Sequence, residues 1–169
     1  MEFDKQLNEL ASGAVIIPAL LNDFTQSEAV QKPDSDSWSA LEVLCHLYDE
    51  ECEDFRQRLN LILNHPTSEF PPIDPRGWVI SRRYNQRSFS DMLQRWSAER
   101  VQSLTWLRSL SAVNWEVSVA SPFGPFRAGD MLAAWVAHDN LHTRQLVELR
   151  RWRLVQLVKP YDPGYAGDW

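Results

Sequence analysis

Two histidines four residues apart, His138 and His142, lie in the stretch Met131-Leu-Ala-Ala-Trp-Val-Ala-His138-Asp139-Asn-Leu-His142-Thr-Arg-Gln-Leu146. No Pro or Gly interrupts the chain between Met131 and Leu154, so the stretch is predicted helical. Residues four apart on a helix are neighbours, with Cβ atoms about 5–6 Å apart. At about 100° per residue, Met131, Trp135, His138, His142, Leu146 and Leu149 share one face. That face is the apolar stripe, so two polar rings point where a bundle helix buries itself. A buried polar group without a partner costs roughly 1–3 kcal/mol. Two adjacent rings call for a shared partner, and a metal ion meets that need. The bland alternative is a pair of unrelated core histidines.

The string His138-Asp139-Asn-Leu-His142 also resembles the H-E-x-x-H of zinc metalloproteases, with Asp where the general base should be Glu. Asp is one methylene shorter, and no further histidine follows. The protease reading is therefore set aside. Gly-rich phosphate loops, G-x-S-x-G and C-x-x-C are all absent from the sequence.

The elements that must position these residues are legible as helices. Phe3, Leu7, Leu10, Ala14, Ile17, Leu21 and Phe24 recur at steps of three and four, a first amphipathic helix interrupted by Pro18. Thr25–Ser37 is polar and reads as a loop. Ser39-Ala-Leu-Glu42 has the form of a capping box and opens a second helix running to about Asn64. Its apolar stripe is Leu41, Leu44, Tyr48, Phe55, Leu59 and Ile62. On that helix His46 falls nearer Glu42, Asp49, Glu50 and Glu53 than Leu44, so the wheel places it on a charged or boundary face. The acidic run Asp49-Glu-Glu-Cys-Glu-Asp54 reads as a solvated face able to support a nearby cation.

Pro66, Pro71, Pro72 and Pro75 make the connection from His65 to Arg87 a long loop, with room for a short helical piece around Trp78–Tyr84. Ser88-Phe-Ser-Asp91 opens a third helix, with Phe89, Leu93, Trp96, Arg100, Leu104 and Leu107 on one side. An irregular stretch from Asn114 has room for a short extended pair, and the fourth helix starts at about Arg127. Four long amphipathic segments predict an all-α four-helix bundle, one domain over residues 1–169, with metal sites between facing helices.

A formal charge of −6 argues against a general nucleic-acid binder. Arg150-Arg151-Trp-Arg153 reads as positive charge at a helix C-terminus. No apolar run approaches the ~20 residues of a membrane span, and the first residues lack signal-peptide character. Cys45 and Cys52, on one helix about 10 Å apart, are too far for a disulfide. Free thiols fit a reducing compartment, so a cytoplasmic location is expected, with no membrane and no nucleic-acid partner.

Three blocks resemble the DinB-like family. They are Trp38-Ser-Ala-Leu-Glu42-Val-Leu-Cys-His46-Leu47, then Arg82-Arg83-Tyr84-Asn85-Gln86-Arg87, then Gly124-Pro-Phe with Trp135-Val-Ala-His138-Asp139-Asn-Leu-His142-Thr-Arg-Gln145. They stand in family order and span nearly the whole chain. Arg127 departs from the Ser or Thr cap expected before the last helix. The resemblance implies an up-down-down-up bundle, often a homodimer, with one divalent metal held by His46, His138 and His142.

Three neutral imidazoles leave a position for substrate or water and suit zinc or nickel, with iron possible. The expected function is a metal-dependent enzyme of the thiol S-transferase or hydrolase type acting on a small molecule. Asp139 and Asp49 are candidates for supporting the ligands or transferring protons, and Trp135 and the Trp78–Tyr84 loop for lining the pocket. The rival readings are a non-catalytic metal-binding bundle dimer and a non-haem iron oxygen enzyme.

Overall fold

The computed structural model describes residues 2–121 and 124–167. Helix α1 (Phe3–Leu21) continues through Pro18 and buries Leu10, Gly13, Ile17 and Leu21. A short helix, α2 (Gln26–Ala29), follows where a loop was expected. Thr25 and Glu28 cap it reciprocally, a pattern present in the sequence as Thr25-x-x-Glu28.

The second long helix is built of α3 (Ala40–Glu50), a π-helical turn (Glu51–Phe55) and α4 (Arg56–Asn64), without a break. Its start is fixed by the expected capping box: Ser39 N–H donates to Glu42 Oε2 at 2.9 Å, and Glu42 N–H to Ser39 Oγ at 3.1 Å. Residues 65–88 hold α5 (Pro75–Ser81) and a 3-10 turn (Tyr84–Gln86). Helix α6 (Phe89–Ser109) is capped by Ser88, as expected. Strands β1 (Ser118–Ser121) and β2 (Gly124–Arg127) form an antiparallel hairpin, Val119 opposite Phe126. Helix α7 (Ala128–Leu157) then runs for 30 residues. At its start the Asp130 carboxylate accepts from the Arg127 backbone N–H at 3.0 Å, the reciprocal half of a capping box, which a Ser or Thr at 127 would have completed. The molecule is therefore mostly helical, with one small sheet beside the bundle. Among the described residues no helix is long and apolar enough to cross a membrane.

Helix α1 packs on α6 and α7, and α3 packs on the same two. The apolar core falls into two clusters. One contains Ile17, Leu44, Trp96 and Leu146; the other contains Leu10, Phe55, Leu104 and Trp135. On every long helix the residues between these two sets are polar or lack a side chain: Gly13, Glu51, Arg100 and Asp139. A charged layer thus crosses the middle of the bundle.

That layer corrects the expectation of a solvated acidic face. Asp49, Glu50, Glu51 and Asp54 are all buried. The wheel assigns charge to water, but here cations from other elements reach it. Arg100 pairs with Glu51 at 2.8 Å, Arg58 with Asp54 at 2.7 Å, and Arg82 with Asp49 at 2.8 Å. Tyr84 Oη–H also donates to Asp49 at 2.6 Å, closing the 65–88 connection over the helix.

Candidate metal centre

His46 is carried by α3, and His138 and His142 by successive turns of α7. The three rings meet although 92 residues separate His46 from His138, with Nε2 atoms 3.0 Å apart. The Nε2 atoms of His138 and His142 are 3.1 Å apart. One ligand atom from each histidine lies within 4.8 Å of the others. His46 is only 5% exposed, against the boundary position that the wheel assigns it. The helix is covered on its outer side by residues from the 65–88 connection, which one-helix periodicity does not register. His138, expected on the buried stripe, is half-buried; Asp139 takes the inward position beside it.

Burial, reinforced by His142, pushes the His46 pKa down to about 3. Burial, then His142, His46 and Arg100, push His138 down to about 2. Burial lowers His142 as well, against the hydrogen bond to Gln145. All three rings are neutral imidazoles at neutral pH, each with one ring lone pair to give. The His142 Nδ1–Gln145 Oε1 contact of 2.8 Å assigns the ring proton to Nδ1, because an amide oxygen only accepts. Its Nε2 therefore turns a lone pair toward the cluster. Rings that meet Nε2 to Nε2 cannot all satisfy one another with one N–H each. Converging neutral nitrogen donors of this kind fit a divalent transition metal.

Aromatic side chains wall the cluster. Trp38 meets the His46 ring edge-on at a centroid distance of 5.0 Å and lies parallel to His142. Phe55 packs on His138 at 4.8 Å. A cavity of about 850 Å³ opens against His142 and Gln145. Trp38, Leu149 and Trp152 supply an apolar side, while Arg76, Glu148 and Asp36 supply charge.

The structure does not bring the other expected residues there. Asp139 is bound by Arg100 through both guanidinium Nη atoms, Nη2 to Oδ1 at 2.8 Å. Asp49 is bound by Tyr84 and Arg82. Neither carboxylate has an imidazole among its hydrogen-bond partners. Trp135 is 1% exposed and donates its Nε1–H to Glu51 at 3.1 Å, so it is core and not pocket wall. Trp78 lies under the Arg82 guanidinium at 3.9 Å, and neither it nor Trp135 lines the cavity. Sequence reasoning missed Trp38 and Gln145 as neighbours of the site. Gln145, three residues beyond His142, was within reach of a helix-spacing argument. Cys45 and Cys52 are free, and burial pushes both thiols up to about 12, removing them as thiolate ligands or nucleophiles at neutral pH.

Residues 15–146, well over half of the chain, match the family profile described as the DinB superfamily. The chain belongs to the DinB superfamily. Among solved structures it is similar to YfiT from Bacillus subtilis, described as a probable metal-dependent hydrolase with an unusual four-helix bundle topology. The TM-score is 0.78 over 90% of this chain and 87% of that one, at 19% sequence identity. At that identity the likeness establishes the fold, a four-helix bundle. No curated protein sequence matches the chain.

Proposed function

We propose that this DinB-superfamily chain is a divalent-metal-dependent enzyme acting on a small molecule, of the hydrolase or thiol S-transferase type. The observation that carries the proposal is the convergence of three neutral imidazoles beside a cavity. The description of YfiT as a probable metal-dependent hydrolase supports it. His46, His138 and His142 are the ligands on this reading, and zinc or nickel suits them, with iron a further option. Such an ion supplies Lewis acidity and lowers the pKa of a water or thiol bound to it. The chain's own part is to present three lone pairs, to fix His142 through Gln145, and to exclude water with Trp38 and Phe55. The cavity beside His142 receives the substrate. Asp139 and Asp49 act on this reading only through the helices that carry the ligands, since their oxygens are engaged elsewhere.

The reading includes the up-down-down-up order and a homodimer. Contacts support the order. Gly13 lies beside Asp139, and Leu20 O accepts from Arg150, so α1 and α7 ascend together. His46 meets His138, and Glu51 meets Trp135, so α3 runs against α7. Arg100 meets Glu51 and Ser103 meets Arg56, so α6 descends with the second helix.

The test is elemental analysis of protein purified without an affinity tag, beside His142→Ala. Wild-type protein is expected to hold close to one equivalent of a transition metal and the variant much less. Equal metal content in both would sink the three-histidine site. Thiol consumption with an added electrophile, against hydrolysis of an ester panel, then separates the two reaction types. Retained metal with neither reaction favours the non-catalytic bundle.

A further inference from the structure

His46 Nδ1 and Glu50 Oε1 are both buried, and neither has a hydrogen-bond partner. Buried polar atoms without partners are uncommon and require an explanation. These two lie 4.0 Å apart, one turn apart on the second helix. His46 is 5% exposed and Glu50 4%, so neither group is open to bulk solvent. A side-chain movement of about 1 Å would bring them to hydrogen-bond distance.

The nitrogen that faces the cluster is Nε2, which leaves Nδ1 to carry the ring proton whenever Nε2 gives its lone pair. A ligating imidazole almost always donates its other N–H to a carboxylate, carbonyl or water, which fixes the ring and raises its basicity. His142 has such an acceptor in Gln145. Glu50 stands at the corresponding place for His46. The neighbouring carboxylates are otherwise committed: Asp54 to Arg58 and to the Glu50 carboxyl, and Asp49 to Tyr84 and Arg82. Glu50 Oε1 is thus the carboxylate oxygen without a hydrogen bond that faces His46 Nδ1.

We propose that Glu50 is a positioning residue: its carboxyl oxygen Oε1 accepts the His46 Nδ1–H and holds that ring in its ligating orientation. The inference rests on the three-histidine reading above. It assigns Glu50 no contact with metal or substrate.

The test compares wild-type protein, Glu50→Leu and Glu50→Gln. Zinc affinity is read by competition with a chromophoric chelator, and the ring protons by NMR of 15N-histidine-labelled protein. Leu is expected to weaken zinc binding about 10- to 100-fold. Gln, whose amide oxygen still accepts, is expected to restore most of the affinity. Zinc-loaded wild type should show a slowly exchanging Nδ1–H on His46 that Leu abolishes and Gln retains. A Glu50 that only fills space would move neither readout. Should the Leu variant fail to fold, the zinc-loaded wild type decides: an absent or rapidly exchanging His46 Nδ1–H overturns the role of Glu50. Equal zinc affinity in the three proteins overturns the role of Glu50 and leaves the three-histidine site standing. A wild-type protein that takes up no zinc, nickel or iron overturns the site and the positioning role together.

Discussion

Glu50 and the histidines pull the chain's response to pH in opposite directions. Burial, then the hydrogen bond and charge of Asp54, raise the Glu50 pKa from 4.5 to about 8. Between those values the folded chain holds a proton that the unfolded chain has released, so stability rises as pH falls from 8. The imidazoles do the reverse. Their folded pKa values lie below the 6.5 of a free ring, so below about 6.5 the unfolded chain takes up protons that the folded chain refuses. Asp54 and Asp139, also raised by burial but from a lower starting value, act in the same direction as Glu50 while the three rings act against them, and stability is expected to fall as pH drops further. The melting temperature of chelator-treated protein is therefore expected to peak near pH 6.5. His46→Gln with His138→Gln should flatten the acid limb. A midpoint that only declines from pH 8 to 5 removes the Glu50 part, and an unchanged acid limb in the double variant removes the histidine part.

At the scale of the elements, one cation ties all four long helices together. Arg100 on α6 is 1% exposed, and each of its five N–H groups meets an acceptor. Two are Glu51 oxygens, in the π-helical turn between α3 and α4. Two are Asp139 oxygens on α7, and the last is the Leu10 carbonyl on α1. Asp139 and Glu51 together hold the guanidinium well above its ordinary pKa against the cost of burial. π-Helical turns occur often at functional sites, and this one begins five residues after His46. Gly13 gives the network its space: a Cβ there would lie 2.5 Å from Asp139 Oδ2. Glycine inside a helix costs about 1 kcal/mol against alanine, so its presence needs such a close approach. Because Arg100 pins that carboxylate, Gly13→Ala is expected to destabilise by about 1 kcal/mol or more, despite the better helix propensity. Arg100→Met should cost about 3–5 kcal/mol, since it strands two buried carboxylates. Urea unfolding measures both. An Ala variant as stable as wild type would show that Asp139 yields freely.

At the scale of the whole molecule, the described residues offer a buried polar layer, a histidine cluster and a cavity on the same side of α7 as His142. The proposed homodimer is checked by sedimentation equilibrium, where a dimer weighs twice the 19.6 kDa chain. A mass equal to one chain removes the dimer from the proposal. The three histidines all come from one chain, so monomeric protein would still carry the complete cluster.

The sequence by itself determined the features whose causes are local. Helix starts at Ser39 and Ser88 follow from side chains reaching backbone donors three residues away. The pairing of His138 with His142 follows from one helical turn. The stripe through Phe89, Trp96, Arg100 and Leu104 follows from period 3.6, and it already carried a charge into the core. Only the tertiary structure decided what depends on distant partners. His46 joins the cluster because α3 is enclosed on every side. The acidic run is buried because Arg58, Arg82 and Arg100 converge on it, and Asp139 turns from the site because Arg100, 39 residues earlier, claims it. A helical wheel gives charge to water by default. It has no means of seeing a counter-ion that a different helix supplies, and at this site those counter-ions decide which residues face the histidine cluster.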